Sequence, residues 1–224
     1  MGQGGAGRGP ARMSALPWAE IATALAVFGA NVLSPGPNVF NTIAVALGAG
    51  RAVAVWVVPA IALGVAGWSA AAILGAAALF RAAPALEPAL SALGGALLLL
   101  FAARYARRAR GWSAALGPAR HISRREAFWS SLAVLATNPK ALTTWLVLVS
   151  IFPAGTATPA AVALMIAGAV AVASLGHLGY ALAFSSRPAA RLYARLGRWV
   201  LAGVAVFFAS LGAALLAENL PRLV

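Results

Sequence analysis

SPGPN, Ser34 to Asn38, puts two prolines and a glycine in the middle of a stretch that otherwise reads as membrane interior. TNPK, Thr137 to Lys140, does the same later in the chain, in a similar setting. Proline has no amide N–H and clashes with the carbonyl four residues back. Pro35 and Pro37 therefore free the carbonyls of Asn31 and Leu33, and Pro139 frees that of Leu135. In hydrocarbon such groups are tolerated only where they face protein or a wet cavity. A lone proline is more simply read as a packing kink. Two central breaks with capping residues beside them, at matching points of two halves, point to a buried polar site.

Composition sets the frame around these breaks. The chain is 62% apolar and 9% charged over 224 residues, where a soluble domain is nearer half apolar and a quarter charged. Charge is absent from Ala52 to Phe80 and from Trp199 to Ala217, and from Ala141 to Ser186 the titratable groups are His177 and Tyr180. About 20 apolar residues cross the hydrocarbon, so the chain reads as polytopic. It has no cysteine, which excludes disulfides, thiolate metal sites and thiol redox chemistry. Its net charge of +13 comes from arginines lying between apolar runs. Such charge belongs to loops and not to a nucleic-acid surface. The glycine-rich start, with Arg8 and Arg12, reads as a disordered tail without a secretory cleavage site, and Met13 offers a second start.

Six spans account for the rest: about 18–47 with SPGPN near its centre, 53–80, 84–103, 127–152 with TNPK near its centre, 160–184 and 199–217. Twelve arginines fall on one side of this arrangement and Arg8, Arg12, Arg81 and Arg222 on the other. The richer side is expected to be cytoplasmic, with both termini outside an inner cell membrane. An interrupted span followed by two continuous ones occurs twice, with opposite entry sides. The expected fold is thus an all-α integral membrane protein of six transmembrane helices in two inverted three-helix repeats, the first and fourth helices broken at mid-membrane. Its segments are a tail (1–16), a first repeat (17–105), a basic cytoplasmic loop (106–126), a second repeat (127–218) and a short tail (219–224).

Ser34-Pro35 and Asn138-Pro139 each pair a capping residue with proline, the preferred start of a helix. Each broken span then becomes two half-helices. The second half begins at mid-depth, with a partial positive charge and open N–H donors suited to a carboxylate. The freed carbonyls suit an ammonium group, so a zwitterion fits both. Asn31, Ser34, Asn38 and Asn41 fall on one side of the first span with Thr42 adjacent, and Ser130, Thr137, Lys140 and Thr144 do likewise in the fourth. Lys140 lies fifteen residues after Arg125 and thirteen before Pro153, too deep to snorkel. An intramembrane lysine costs about 2.5 to 3.5 kcal/mol on insertion scales and marks a functional site by default. The plainer alternative is a lysine held by the freed carbonyls. His177 is a candidate proton carrier with Tyr180 as its expected partner, or a hydrogen-bonded packing element. No Asp is present, and Glu20, Glu87, Glu126 and Glu218 all lie near span ends, so no mid-membrane carboxylate relay is expected.

SPGPN, then GAGRAVAVWVVPAIALG, then TNPKAL followed by WLVLVSIFP, resemble the LysE/RhtB family of amino-acid exporters, from Trp18 to about Ala217. By position, Pro35, Gly36, Pro37 and Asn38 match the first motif of that family, and Asn138, Pro139 and Lys140 the second. The resemblance implies efflux of amino acids or related small metabolites, coupled to the proton-motive force. The turn GAGRAVAV is poorer in cationic residues than the usual form, and the membrane acids of some members are missing. Neutral or apolar amino acids are therefore favoured over lysine or arginine. The expected substrate site comprises Asn31, Ser34, Pro35, Gly36, Pro37, Asn38, Asn41, Asn138, Pro139, Lys140 and Thr144, with Lys140, His177 and Tyr180 as candidates for proton coupling. Expected partners are the bilayer and a small-molecule substrate, with homo-oligomerisation left open. No nucleic acid, cofactor or metal is expected, and no catalytic role. A membrane scaffold, or a membrane-embedded enzyme with a lysine nucleophile, are the alternatives.

Overall fold

Proline, glycine and capping side chains set where each helix starts and stops. A computed structural model describes residues 16–34, 36–84, 86–112 and 121–222. In chain order these hold α1 (Trp18–Leu33), α2 (Pro37–Ala49), α3 (Arg51–Ala54), α4 (Val57–Ala82), α5 (Leu86–Arg110), α6 (Arg124–Ala136), α7 (Pro139–Ile151), α8 (Pro159–Ala183) and α9 (Arg187–Asn219). Among the described residues there is no strand. Gly50, at φ +74°, turns the chain between α2 and α3, a conformation open to glycine at little cost. Ser123 and Glu126 open α6 reciprocally. The Ser123 N–H donates to Glu126 Oε2 at 2.8 Å, and the Glu126 N–H to Ser123 Oγ at 3.3 Å, a capping box. Thr158 caps α8 by accepting the Ala161 N–H at 3.2 Å, with Pro159 as first helical residue.

Both sequence-read breaks are real, but their caps differ. Asn138 caps α7 as expected, its side chain accepting the Lys140 N–H at 3.0 Å. Ser34 does not open α2. It closes α1, its N–H returning to the Asn31 carbonyl at 3.3 Å, while extended Gly36 precedes α2 and no side chain caps it. The cause is the second proline. Pro37 takes the first helical position, and a residue before proline is pushed out of the helical region. Pro35 lies outside the described residues, as do 1–15 and 113–120.

Four helical stretches are long and apolar enough to cross a bilayer: 51–82, 88–110, 159–183 and 195–219. The pair α6–α7, bent by 60° at its break, makes a fifth when taken as one span. The 16-residue apolar α1 is shorter than these and continues beyond its own break as α2. Two helices outrun their expected ends. α5 continues to Arg110 and α9 begins at Arg187, so much of the arginine-rich sequence is helical.

The packed faces are narrow stripes of small and branched residues. On α8 Met165, Ala169, Ala173 and His177 recur at every fourth position and are buried, while Leu175 on another face is 68% exposed. α4 buries Ile61, Val65, Ser69 and Ile73 and leaves Leu63 and Leu74 more than half exposed. Outward leucines on every long helix suit a hydrocarbon surround. There, apolar contact between helices gains nothing over contact with lipid, and association rests on close packing and polar ties. α4 packs on α8, α6 and α7; α8 also packs on α1 and α2; and α1 and α2 pack on α7 and α6 respectively. α5 packs along α9 and also against α7.

The α5–α9 contact depends on two glycines. A Cβ built on Gly212 would stand 2.8 Å from the Gly95 carbonyl oxygen and 3.0 Å from Leu98 Cβ, and one on Gly95 would meet the Gly212 carbonyl at 3.0 Å. In each case the carbonyl oxygen is backbone and cannot step aside. Gly212→Val is expected to force the helices apart and destabilise the fold by about 1–3 kcal/mol, the usual cost of overpacking. Thermal unfolding of the detergent-solubilised protein measures it, and an unchanged midpoint would refute the close approach.

Candidate functional site

The stranded carbonyls of the first break are taken up by side chains from distant helices. The Asn31 carbonyl accepts from Lys140 Nζ at 3.0 Å, with Ser34 Oγ 2.7 Å away. The Leu33 carbonyl accepts from the Tyr180 hydroxyl at 2.7 Å. At the second break, the Leu135 carbonyl accepts from the backbone N–H of Asn138 at 3.3 Å. Lys140 and Tyr180 thus act first as struts, and the plainer expectation for Lys140, a lysine held by a freed carbonyl, describes its geometry.

Around Lys140 a polar network fixes every group in turn. Nζ also donates to Ser34 Oγ at 2.9 Å and sits over the Tyr105 ring, 5.6 Å from its centre, within cation–π range. The Tyr105 hydroxyl donates to Asn31 Oδ1 at 2.9 Å and lies 2.7 Å from Ser34 Oγ. Asn31 Nδ2 donates to Thr144 Oγ1 at 2.5 Å, whose hydroxyl donates to the Lys140 carbonyl at 2.6 Å. Lys140 has three N–H donors, and the two bonds to Asn31 and Ser34 leave one for a ligand.

A second chain of bonds orients His177. Thr42 Oγ1 donates to the Asn38 carbonyl at 2.9 Å and lies 2.8 Å from His177 Nδ1. A hydroxyl has a single proton; when Thr42 gives it to the Asn38 carbonyl, Nδ1 carries the hydrogen and donates to Thr42. The lone pair of the neutral ring then sits on Nε2, which has no partner among the described residues. Tyr180 meets His177 ring to ring, at 6.2 Å between centres. The two expected partners thus meet through their rings, while the Tyr180 hydroxyl donates to the Leu33 carbonyl and Thr42 Oγ1 lies at His177 Nδ1.

These groups surround a cavity of about 60 Å³ between the two breaks. Asn31, Lys140 and Thr144 line one part, Gly36, Pro37 and Asn38 another, and Asn138 and His177 complete its polar wall. Apolar closure comes from Phe28 and Trp145, whose ring centres are 5.5 Å apart. Asn38 Oδ1 is buried with no hydrogen-bond partner, an acceptor awaiting a donor. The cavity therefore offers one free ammonium N–H and the uncapped start of α2 to an anionic group, and Asn38 Oδ1 and His177 Nε2 to a donor. Among the described residues of its wall there is no carboxylate.

Of the remaining expected site residues, Ser34 stands behind Lys140 and is fully buried. Asn41 turns away and donates to Ser131 Oγ at 2.7 Å. Pro139 opens α7. Thr137, noted on the polar face of the fourth span, is exposed and bonds its own helix at the Ala133 carbonyl. Tyr105 was missed because the third span was ended at Ala103. Its signal is the stripe Leu98, Phe101, Tyr105, all buried, which keeps helical spacing into the arginines.

The family model for LysE type translocators matches residues 30–219. No curated protein and no solved structure matches the chain.

Tyr180→Phe keeps the ring but leaves the Leu33 carbonyl without its donor. An orphaned buried acceptor costs about 1–3 kcal/mol, so the variant is expected to unfold at a lower temperature by that equivalent while keeping its membrane abundance. Unfolding of purified wild type and variant side by side checks it, and equal midpoints would show that the carbonyl has another donor.

Proposed function

Since the chain belongs to the LysE type translocator family, we propose that it exports amino acids or related small zwitterionic metabolites from the cytoplasm, with the Lys140 cavity as its cargo site. The observation that carries this reading is the meeting of two interrupted helices around a charged, incompletely satisfied pocket. The carboxylate of a zwitterion would take the free Lys140 N–H and the α2 start, and its ammonium would take Asn38 Oδ1 and His177 Nε2. Charge-assisted bonds of this kind are about twice as strong as neutral ones.

Counting α1–α2 and α6–α7 each as one broken span gives six spans in an inner cell membrane, arginine-rich ends in the cytoplasm. The packing pattern supports an inverted repeat. α4 packs on α6 as α8 packs on α1, α2 on α8 as α7 on α4, and α2 on α6 as α7 on α1. The symmetry is incomplete: among the described residues α5 packs on α7 and α1 on α9, with no comparable α2–α9 or α5–α6 contact. In an alternating-access cycle a one-sided α5–α7 contact would fit a state closed at one end and open at the other. The α5–α7 contact closes the outer side, where Ser91 Oγ donates to the Ser150 carbonyl at 3.1 Å. A matching α2–α9 contact would close the cytoplasmic side once the outer one parts. Proton coupling through Lys140 and His177 would link this exchange to the proton-motive force.

Lys140→Ala is expected to reduce efflux of labelled amino acid from loaded cells to the background of cells lacking the protein, with membrane abundance retained. Efflux at the wild-type rate would remove Lys140 from the transport step.

A further inference from the structure

The central cavity shares part of its wall with a larger cavity at one end of the bundle. This second cavity, of about 700 Å³, shares Pro37, Asn138 and Lys140 with it and runs out along the end of α5. Its wall brings Arg104, Arg107 and Arg108 together with Tyr105 and Lys140, again with no carboxylate among the described residues. At the opposite end of the bundle, between the starts of α1 and α5 and the ends of α7 and α9, lies a cavity of about 550 Å³ that has Glu20 and Glu218 on its wall. That cavity shares no residue with the central one.

From this charge layout we infer that the α5 mouth is a carboxylate-collecting vestibule, and that the preferred cargo is a small amino or organic acid of net negative charge, cationic amino acids being excluded. The inference rests on the export reading above and narrows its substrate class. A zwitterion bound at Lys140 leaves one uncompensated positive charge in the interior, whereas a monoanion leaves none. An uncompensated buried charge is costly, and no acid on either wall offsets it. Clefts of one sign with low-dielectric walls raise local concentration and on-rate for the opposite charge by about 10- to 1,000-fold at low ionic strength. Arg104 and Arg107 therefore favour anion capture at the mouth, and Lys140, inward of them and over the Tyr105 ring, receives the carboxylate. At the far mouth, Glu20 and Glu218 repel an anion returning from outside. The route is polarised for outward passage of an acid.

Purified full-length protein in liposomes, assayed with aspartate, alanine and lysine at equal concentration, tests this directly. Aspartate is expected to move fastest and lysine not at all. Arg104→Gln/Arg107→Gln is expected to raise the half-saturating aspartate concentration about five- to tenfold, toward the lower end of the steering range. The maximal rate should change little and the difference should collapse in about 0.5 M salt. Thermal stabilisation of the same preparations in detergent gives a readout independent of transport: aspartate raises the midpoint of wild type more than that of the double variant, and lysine raises neither. Lysine carried or bound as well as aspartate, or an unchanged half-saturation in the double variant, overturns the vestibule while leaving export of amino acids intact. Arginine-dependent stabilisation by aspartate without any movement of it supports the vestibule and overturns export.

Discussion

A carbonyl stranded inside an apolar bundle has to find a donor, and in this protein two such carbonyls find theirs across the fold. Asn31 takes the Lys140 amine and Leu33 the Tyr180 hydroxyl, side chains more than a hundred residues away. The prolines that interrupt α1–α2 thus hold the first part of the chain against α7 and α8. In an environment where apolar contact alone gives little net driving force, such obligatory polar ties specify which helices meet. Lys140, costly in isolation, is stabilised by the same need, since its donors and the orphaned acceptor satisfy each other.

The breaks were legible in the sequence because proline's effect is local and stereochemical: Pro35, Pro37 and Pro139 identify the freed carbonyls whatever the tertiary context. Lys140 and His177 stood out for a related reason, being titratable groups in otherwise apolar runs. What could not be read was partner choice. Ser34 looked like a cap for α2, but the second proline two residues on moved the helix start and turned Ser34 back to Asn31 and Tyr105. Tyr105 was hidden by the arginines around it, which mask an apolar stripe that continues past the expected end of the span. The pairing of His177 with Thr42 depends on how α2 and α8 pack, which no local pattern in either segment encodes. Asn41, at the right spacing for the polar face, still points to Ser131 because α6 approaches from that side.

The bundle also shows how small residues and polar ties divide the work. Gly95 and Gly212 let α5 and α9 approach closely, in a long contact that continues to Tyr105 against Phe208. The helices that carry the breaks meet through hydrogen bonds with discrete donors and acceptors. An interface of the first kind resists change throughout its length, while one of the second kind can exchange one acceptor for another. The chemistry is accordingly concentrated in α1, α2, α7 and α8, with the close α5–α9 pair reaching it through Tyr105.

A Thr42 hydroxyl that gives its only proton to the Asn38 carbonyl dictates more than a tautomer. With Nδ1 pinned as a donor, a proton gained by the imidazole has Nε2 as its one landing place. That event turns a lone pair on the pocket wall into an N–H, so a ligand atom welcomed there beforehand would afterwards face a donor where it had an acceptor. The same ring, in the same orientation, would attract an ammonium in one state and repel it in the other. Grip and release would then differ by a single hydrogen, with no rearrangement of the scaffold around it.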